Sequence, residues 1–173
     1  MNAKDCVGVL EEILAVLKAK PVYVATHDLR KDEAVFQGMT LAELRFSQYR
    51  MEPLKDGWFR DRFLTTYYGK NREWSPEFLE KKLQWQDGEK YAAQYGGQPE
   101  DFDLESLLDR SKRGPALVPG AAALNMKTDD WYWTSRKLAN NEGLAWVVGP
   151  EGGGVDGCNE DYSNYVRPVR SSQ

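Results

Sequence analysis

Two cysteines, one histidine and no long apolar run leave this sequence short of what several common chemistries require. Cys6 and Cys158 lie near opposite ends, which is neither a disulfide framework nor a zinc-ligand spacing. Neither has a basic neighbour in sequence to lower its thiol pKa, so nucleophilic thiol chemistry is not expected. His27 is the single candidate base for a Ser/His/Asp or Cys/His arrangement, and the adjacent Asp28 projects elsewhere on a strand or loop. It reads as a surface loop residue. Residues 1–20 lack the basic start, continuous apolar core and small-residue cleavage site of a signal peptide, and no run of about 18 apolar residues occurs. The chain is therefore expected to be soluble, to begin in a cytoplasm and to leave membranes alone. Basic excess is missing too: the net charge is −4 and the pI about 5.2, which argues against a direct nucleic-acid or anionic-membrane partner.

What the sequence does have is aromatic weight and an uneven charge. Six Trp and nine Tyr are more aromatics than an ordinary core needs. From Glu100 to Asp161 there are twelve acidic and six basic residues, whereas from Asp28 to Glu73 the signs nearly balance. A chain of 173 residues fits one domain. Val7, Leu10, Ile13, Leu14 and Leu17 predict a helix over 4–19, and Pro21–Thr26 predicts a strand. Leu41–Met51 and Trp58–Tyr68 alternate well enough to suggest strands, with a hairpin around Pro53–Gly57. Ser75-Pro76-Glu77 has the form of a helix start, Asp87 of a cap for a second helix ending at Gly96-Gly97, and Asp103 of a cap for a third that buries Leu104, Leu107 and Leu108.

From Asp130 the pattern changes to period two. Trp131 and Trp133 share one face, Leu144, Trp146 and Val148 one face of the next strand, and Tyr165, Arg167 and Val169 one face of the last. The expectation is an antiparallel sheet with polar loops at 137–143 and 149–164. Trp133 and Trp146 are expected in the core, and Arg167 and Arg170 are expected to pair with loop carboxylates.

Trp85, Gly88, Tyr91-Ala92-Ala93, Gly96-Gly97, the Asp103–Asp109 helix, Tyr132-Trp133-Thr134-Ser135, Ala145-Trp146-Val147-Val148 and Tyr165-Val166-Arg167-Pro168-Val169-Arg170 together resemble the Lcl C-terminal domain family of bacterial and bacteriophage proteins. The resemblance covers roughly residues 74–170. It implies an α+β, C-type-lectin-like fold with flanking helices, and leaves residues 1–73 as an N-terminal helix and strands of no assigned family. The family's Arg-Leu-Pro-Thr-like turn is replaced here by Pro99-Glu100-Asp101-Phe102-Asp103, so a pocket built on that turn is not inherited. Formylglycine-generating enzymes are similar in fold but use paired cysteines with copper, and no such pair exists in the C-terminal half.

No catalytic constellation, metal site or cofactor is therefore expected. Asp129-Asp130 and Glu160-Asp161 are dense in carboxylate but match no calcium motif of the C-type lectins. The loops are rich in Tyr, Ser, Gly and Asn, the composition of recognition surfaces. The candidate ligand-binding residues are Trp131, Tyr132, Asn140, Asn141, Asn159, Asp161, Tyr162 and Asn164. The functional expectation is a non-enzymatic domain, of bacterial or phage kind, that binds a glycan or protein. The alternative is a phage-encoded intracellular inhibitor or adaptor whose acidic surface occupies a host protein such as a nucleic-acid-processing defence enzyme.

Overall fold

The computed structural model describes residues 39–76 and 79–172. The helix expected at 4–19, the strand at 21–26, Cys6 and His27 lie outside those residues. The described chain is α+β, with two antiparallel sheets and short helices.

It opens with α1 (Leu41–Arg45), where alternation had suggested a strand. A capping box decides the matter: the Thr40 hydroxyl accepts the Glu43 N–H at 3.2 Å, and the Glu43 carboxylate accepts the Thr40 N–H at 2.8 Å. The expected hairpin then forms from β1 (Met51–Pro53) and β2 (Phe59–Asp61), which pair antiparallel across a turn containing Gly57 at φ 85°. The alternation read through Tyr68 stops at Asp61. Its carboxylate accepts the Leu64 N–H at 3.1 Å and starts α2 (Arg62–Tyr68), which Gly69 ends in the left-handed conformation.

After β3 (Asn71–Trp74), Ser75, Pro76 and residues 79–84 carry no helix. The helix expected from Ser75 does not form among these described residues, and the second expected helix, the one assigned a cap at Asp87, begins two residues earlier at Trp85, as α3 (Trp85–Ala93). Gln84 is its N-cap, and Asp87 lies in the first turn, where the helix dipole favours a carboxylate. In α4 (Asp101–Glu105) the capping box runs between Glu100 and Asp103, so Asp103 is the third helical residue rather than the cap. Leu104, Leu107 and Leu108 are buried as expected. The alanine run is a 3-10 helix, Pro119–Leu124.

The closing segment differs most from its sequence pattern. One sheet contains β4 (Tyr132–Lys137), β5 (Leu144–Gly149) and β6 (Gly154–Asn159), in that order. The long loop expected at 149–164 therefore holds a strand. Gly-Val-Asp-Gly-Cys-Asn has no apolar alternation to announce it, and it is held by backbone pairing from Gly149↔Gly154 to Leu144↔Asn159. The last strand, β7 (Val169–Ser172), leaves this sheet and pairs with β3 through Glu73↔Arg170 and Trp74↔Val169. Tyr165 meets β4 only as an isolated parallel bridge to Tyr132.

Trp85 and Ala92 of α3 pack with Trp133, Ala145, Val147 and Val166 in one buried cluster. The indoles find partners inside it: Trp85 Nε1 donates to the Thr134 carbonyl at 2.9 Å, and Trp133 Nε1 to the Leu83 carbonyl at 2.7 Å. On the other face of the sheet Tyr132, Thr134 and Val148 are buried as well. Buried charges tie the early elements to α4. Arg50 bonds Asp61 at 2.7 Å and reaches the Ser106 carbonyl at 2.6 Å, while Arg72 pairs with Asp103.

Arg170 pins the C-terminus by bonding Glu73 at 2.8 Å and Asp56 at 2.6 Å, with its guanidinium 3.9 Å from the Trp58 ring centroid. The carboxylates that hold it are thus in β3 and the β1–β2 turn. Arg167 is buried, and burial pushes its guanidinium pKa down to about 10.

Candidate functional site

The site begins with an irregularity in β4. Trp133 pairs with Val147, but the next pair is Lys137 with Ala145, so Thr134, Ser135 and Arg136 together oppose the single residue Trp146. This bulge carries the β4 backbone away from β5, and the Ser135 N–H donates to the Pro99 carbonyl at 2.8 Å. On the β6 side Trp146 is paired with Gly157, which has no side chain to lay against it. Leu138 closes over that glycine; a Cβ added at Gly157 would lie 3.0 Å from Leu138 Cδ2. The result is a half-buried indole in a cavity of about 460 Å3, lined by Arg136, Lys137, Leu138, Ala139, Asn140, Asn141 and Trp146.

Both cations at this cavity already hold a carboxylate. Arg136 bonds Asp101 at 2.7 Å, and Lys137 bonds Glu160 at 2.8 Å while lying 4.4 Å from the Trp85 ring centroid. The second polar loop is joined here too, because the Glu160 N–H donates to the Gly143 carbonyl at 2.9 Å. Asn159 Oδ1 accepts the Asp161 N–H at 2.9 Å, and Gln84 Nε2 donates to the Asp161 carbonyl at 3.0 Å. Asn140, Asn141, Asn159, Asp161 and Tyr162 are therefore exposed at one end of the β4–β5–β6 sheet, with Tyr162 67% exposed.

The other three candidates are elsewhere. Trp131 lies at the far end of the same sheet over Gly149 and Gly154, where an added Cβ would approach its ring to 3.0 Å. That end is about 17 Å away along five residues of strand. Tyr132 is fully buried, its hydroxyl accepts the Lys127 N–H at 2.7 Å, and burial raises its phenol pKa above the usual range. Asn164 is buried, its amide donates to Cys158 Sγ at 3.4 Å, and its backbone bridges to Leu83. Neither buried side chain offers a contact to a ligand.

Trp146 is the residue that alternation misplaced. Ala145-Trp146-Val147-Val148 is apolar at both parities, so period two cannot say which face meets the core. Ala145 and Val147 do, and Trp146 faces the cavity. The only signal that separated them was size: small residues fit opposite Trp85 and Trp133.

No protein-family model matches this chain, and no curated protein matches it.

Among the described residues, no group of three or more His, Cys, Asp or Glu is placed to hold a metal ion, and no helix is long and apolar enough to cross a membrane. Of the four carboxylates expected to form an acidic face, Asp130 is paired with Lys82 and Glu160 with Lys137, which leaves Asp129 and Asp161. A second cavity, of about 570 Å3, lies between Phe46, Phe102 and the end of α4. Its Arg45 donates to the carbonyls of Ser106, Glu105 and Leu108, which gives the guanidinium a structural task in ending that helix.

Proposed function

We propose that this protein is a non-enzymatic recognition module with a C-type-lectin-like fold, bacterial or phage in kind, which holds a glycan or protein ligand at loops 138–143 and 159–163. The fold reading rests on the sequence resemblance and is compatible with where its segments fall: Trp133-Thr134-Ser135 in β4, Ala145–Val148 in β5, and Val169-Arg170 opening β7. The binding reading is carried by one observation. An indole left half-buried by a bulge and a glycine stands beside exposed asparagine amides at the end of a backbone-paired sheet. A rigid aromatic anchor with adaptable hydrogen-bonding neighbours is the composition of a contact surface, and a sheet end holds it in place.

A glycan array combined with pull-down from the surface fraction of candidate host cells tests this reading, using the full chain and the Asn141→Ala/Tyr162→Ala variant. Wild type retains a ligand and the variant binds it at least about tenfold more weakly. A blank wild type in both formats contradicts the reading, as does full binding by the variant.

A further inference from the structure

We infer that the Trp146 cavity accepts the ring of a neutral hexopyranose. This rests on the recognition reading above and narrows it to a ligand class. The lining of the cavity is mostly apolar, with Trp146, Leu138 and Ala139 among its residues. A saturated ring that presents a face of C–H groups stacks on such a surface, burying apolar area without needing a charge. Asn140 and Asn141 are the uncharged polar residues among those that line it. Each amide both donates and accepts, which matches hydroxyls that do the same.

Charge decides between classes of sugar. The cavity's two cations, Arg136 and Lys137, are engaged by Asp101 at 2.7 Å and Glu160 at 2.8 Å. The charge of each cation is already matched by its carboxylate, so a carboxylate, sulfate or phosphate on the ligand would gain little net attraction here. A neutral ring does not depend on such attraction. The cavity volume of about 460 Å3 falls within the roughly 300–1,000 Å3 of small-molecule sites.

Gly157 supplies a way to alter the cavity while leaving Trp146 in place. An added methyl at Gly157 meets Leu138 Cδ2 at 3.0 Å, close enough that the leucine side chain must shift, and Leu138 lines the cavity.

The test uses the full-length protein and saturation-transfer NMR with methyl gluco-, galacto- and mannopyranosides and N-acetylglucosamine. Glucuronate and galactose 6-sulfate are the charged counterparts, and the Trp146 indole N–H signal is followed in parallel. At least one neutral sugar receives saturation and shifts the Trp146 indole, and the response is unchanged between low salt and about 0.5 M salt, where charge–charge attraction is largely screened. Trp146→Ala weakens that binding by about tenfold or more. Gly157→Ala weakens it several-fold with Trp146 intact, so the inference does not depend on one variant staying folded. Binding confined to the charged sugars, binding that survives both substitutions, or no neutral sugar bound at all overturns the inference. If the array or pull-down yields a ligand that needs Asn141 and Tyr162 while no neutral sugar binds at Trp146, the ligand class is wrong and the recognition reading stands. If both are blank, both fall.

Discussion

Asp61→Ala lowers the stability of the protein by about 3–5 kcal/mol, measured as a fall in the urea midpoint at unchanged slope. Asp61 is completely buried, and three groups depend on its carboxylate. Arg50 donates to it from Nε at 2.9 Å and from the terminal guanidinium at 2.7 Å, the Leu64 N–H at 3.1 Å, and Trp74 Nε1 at 3.1 Å. Arg50 is also fully buried, so removing the carboxylate strands a guanidinium in the interior. The same change removes the cap of α2, which alone is worth about 1 kcal/mol. Asp61→Asn keeps an oxygen for the Leu64 N–H and so keeps the helix cap, but it removes the charge and sets an amide NH2 against the Arg50 and Trp74 donors. Replacing Arg50 and Asp61 together by Met and Leu recovers part of the loss, because a buried pair costs most when broken on one side. A loss below about 1 kcal/mol for the alanine variant would mean that Arg50 finds other compensation.

Gly96→Ala is expected to cost about 2–4 kcal/mol by the same measurement. Gly96 has φ +128°, and an added Cβ would lie 2.6 Å from the Val169 carbonyl oxygen and 2.9 Å from Arg170 Cα. Those are backbone atoms at the start of β7 and cannot swing away as a side chain end does. The next residue is the internal control. Gly97 has φ +154° but nothing within 4 Å of an added Cβ, so Gly97→Ala carries backbone strain alone and is the milder change. The seam matters because the Gly97 carbonyl accepts the Val169 N–H at 2.9 Å, which joins the exit of α3 to the strand that completes the first sheet. Equal effects at the two glycines would show that the close approach to β7 contributes nothing.

The parts of the fold that were legible in sequence are those governed by neighbours in the chain. The Pro53–Gly57 hairpin, the body of α3, the burial of Leu104, Leu107 and Leu108, and the period-two run in β4 and β5 all follow from local pattern. Where pattern and capping chemistry disagreed, capping won, at Thr40 and again at Asp61. Long-range pairing was not legible. Nothing in Val169–Ser172 says that its partner is Asn71–Trp74, and β6 is held by backbone pairing that leaves little trace in side-chain type. The site divides the same way. Asn140, Asn141, Asn159, Asp161 and Tyr162 were visible as polar loop residues, whereas Trp146 looked like core. Its exposure arises from a bulge at 134–136 and from the absence of a side chain at Gly157, and both are properties of its cross-strand neighbours.

On the proposed function, the ligand is met at the end of the sheet around Trp146. A two-dimensional 1H–15N spectrum, recorded free and saturated with the ligand retained on the array or in the pull-down, tests it most directly. Shifts concentrated at residues 136–141, the Trp146 indole and residues 159–162 are the result expected. Shifts concentrated instead around Arg45, Phe46 and Phe102, with the Trp146 indole unmoved, would contradict it.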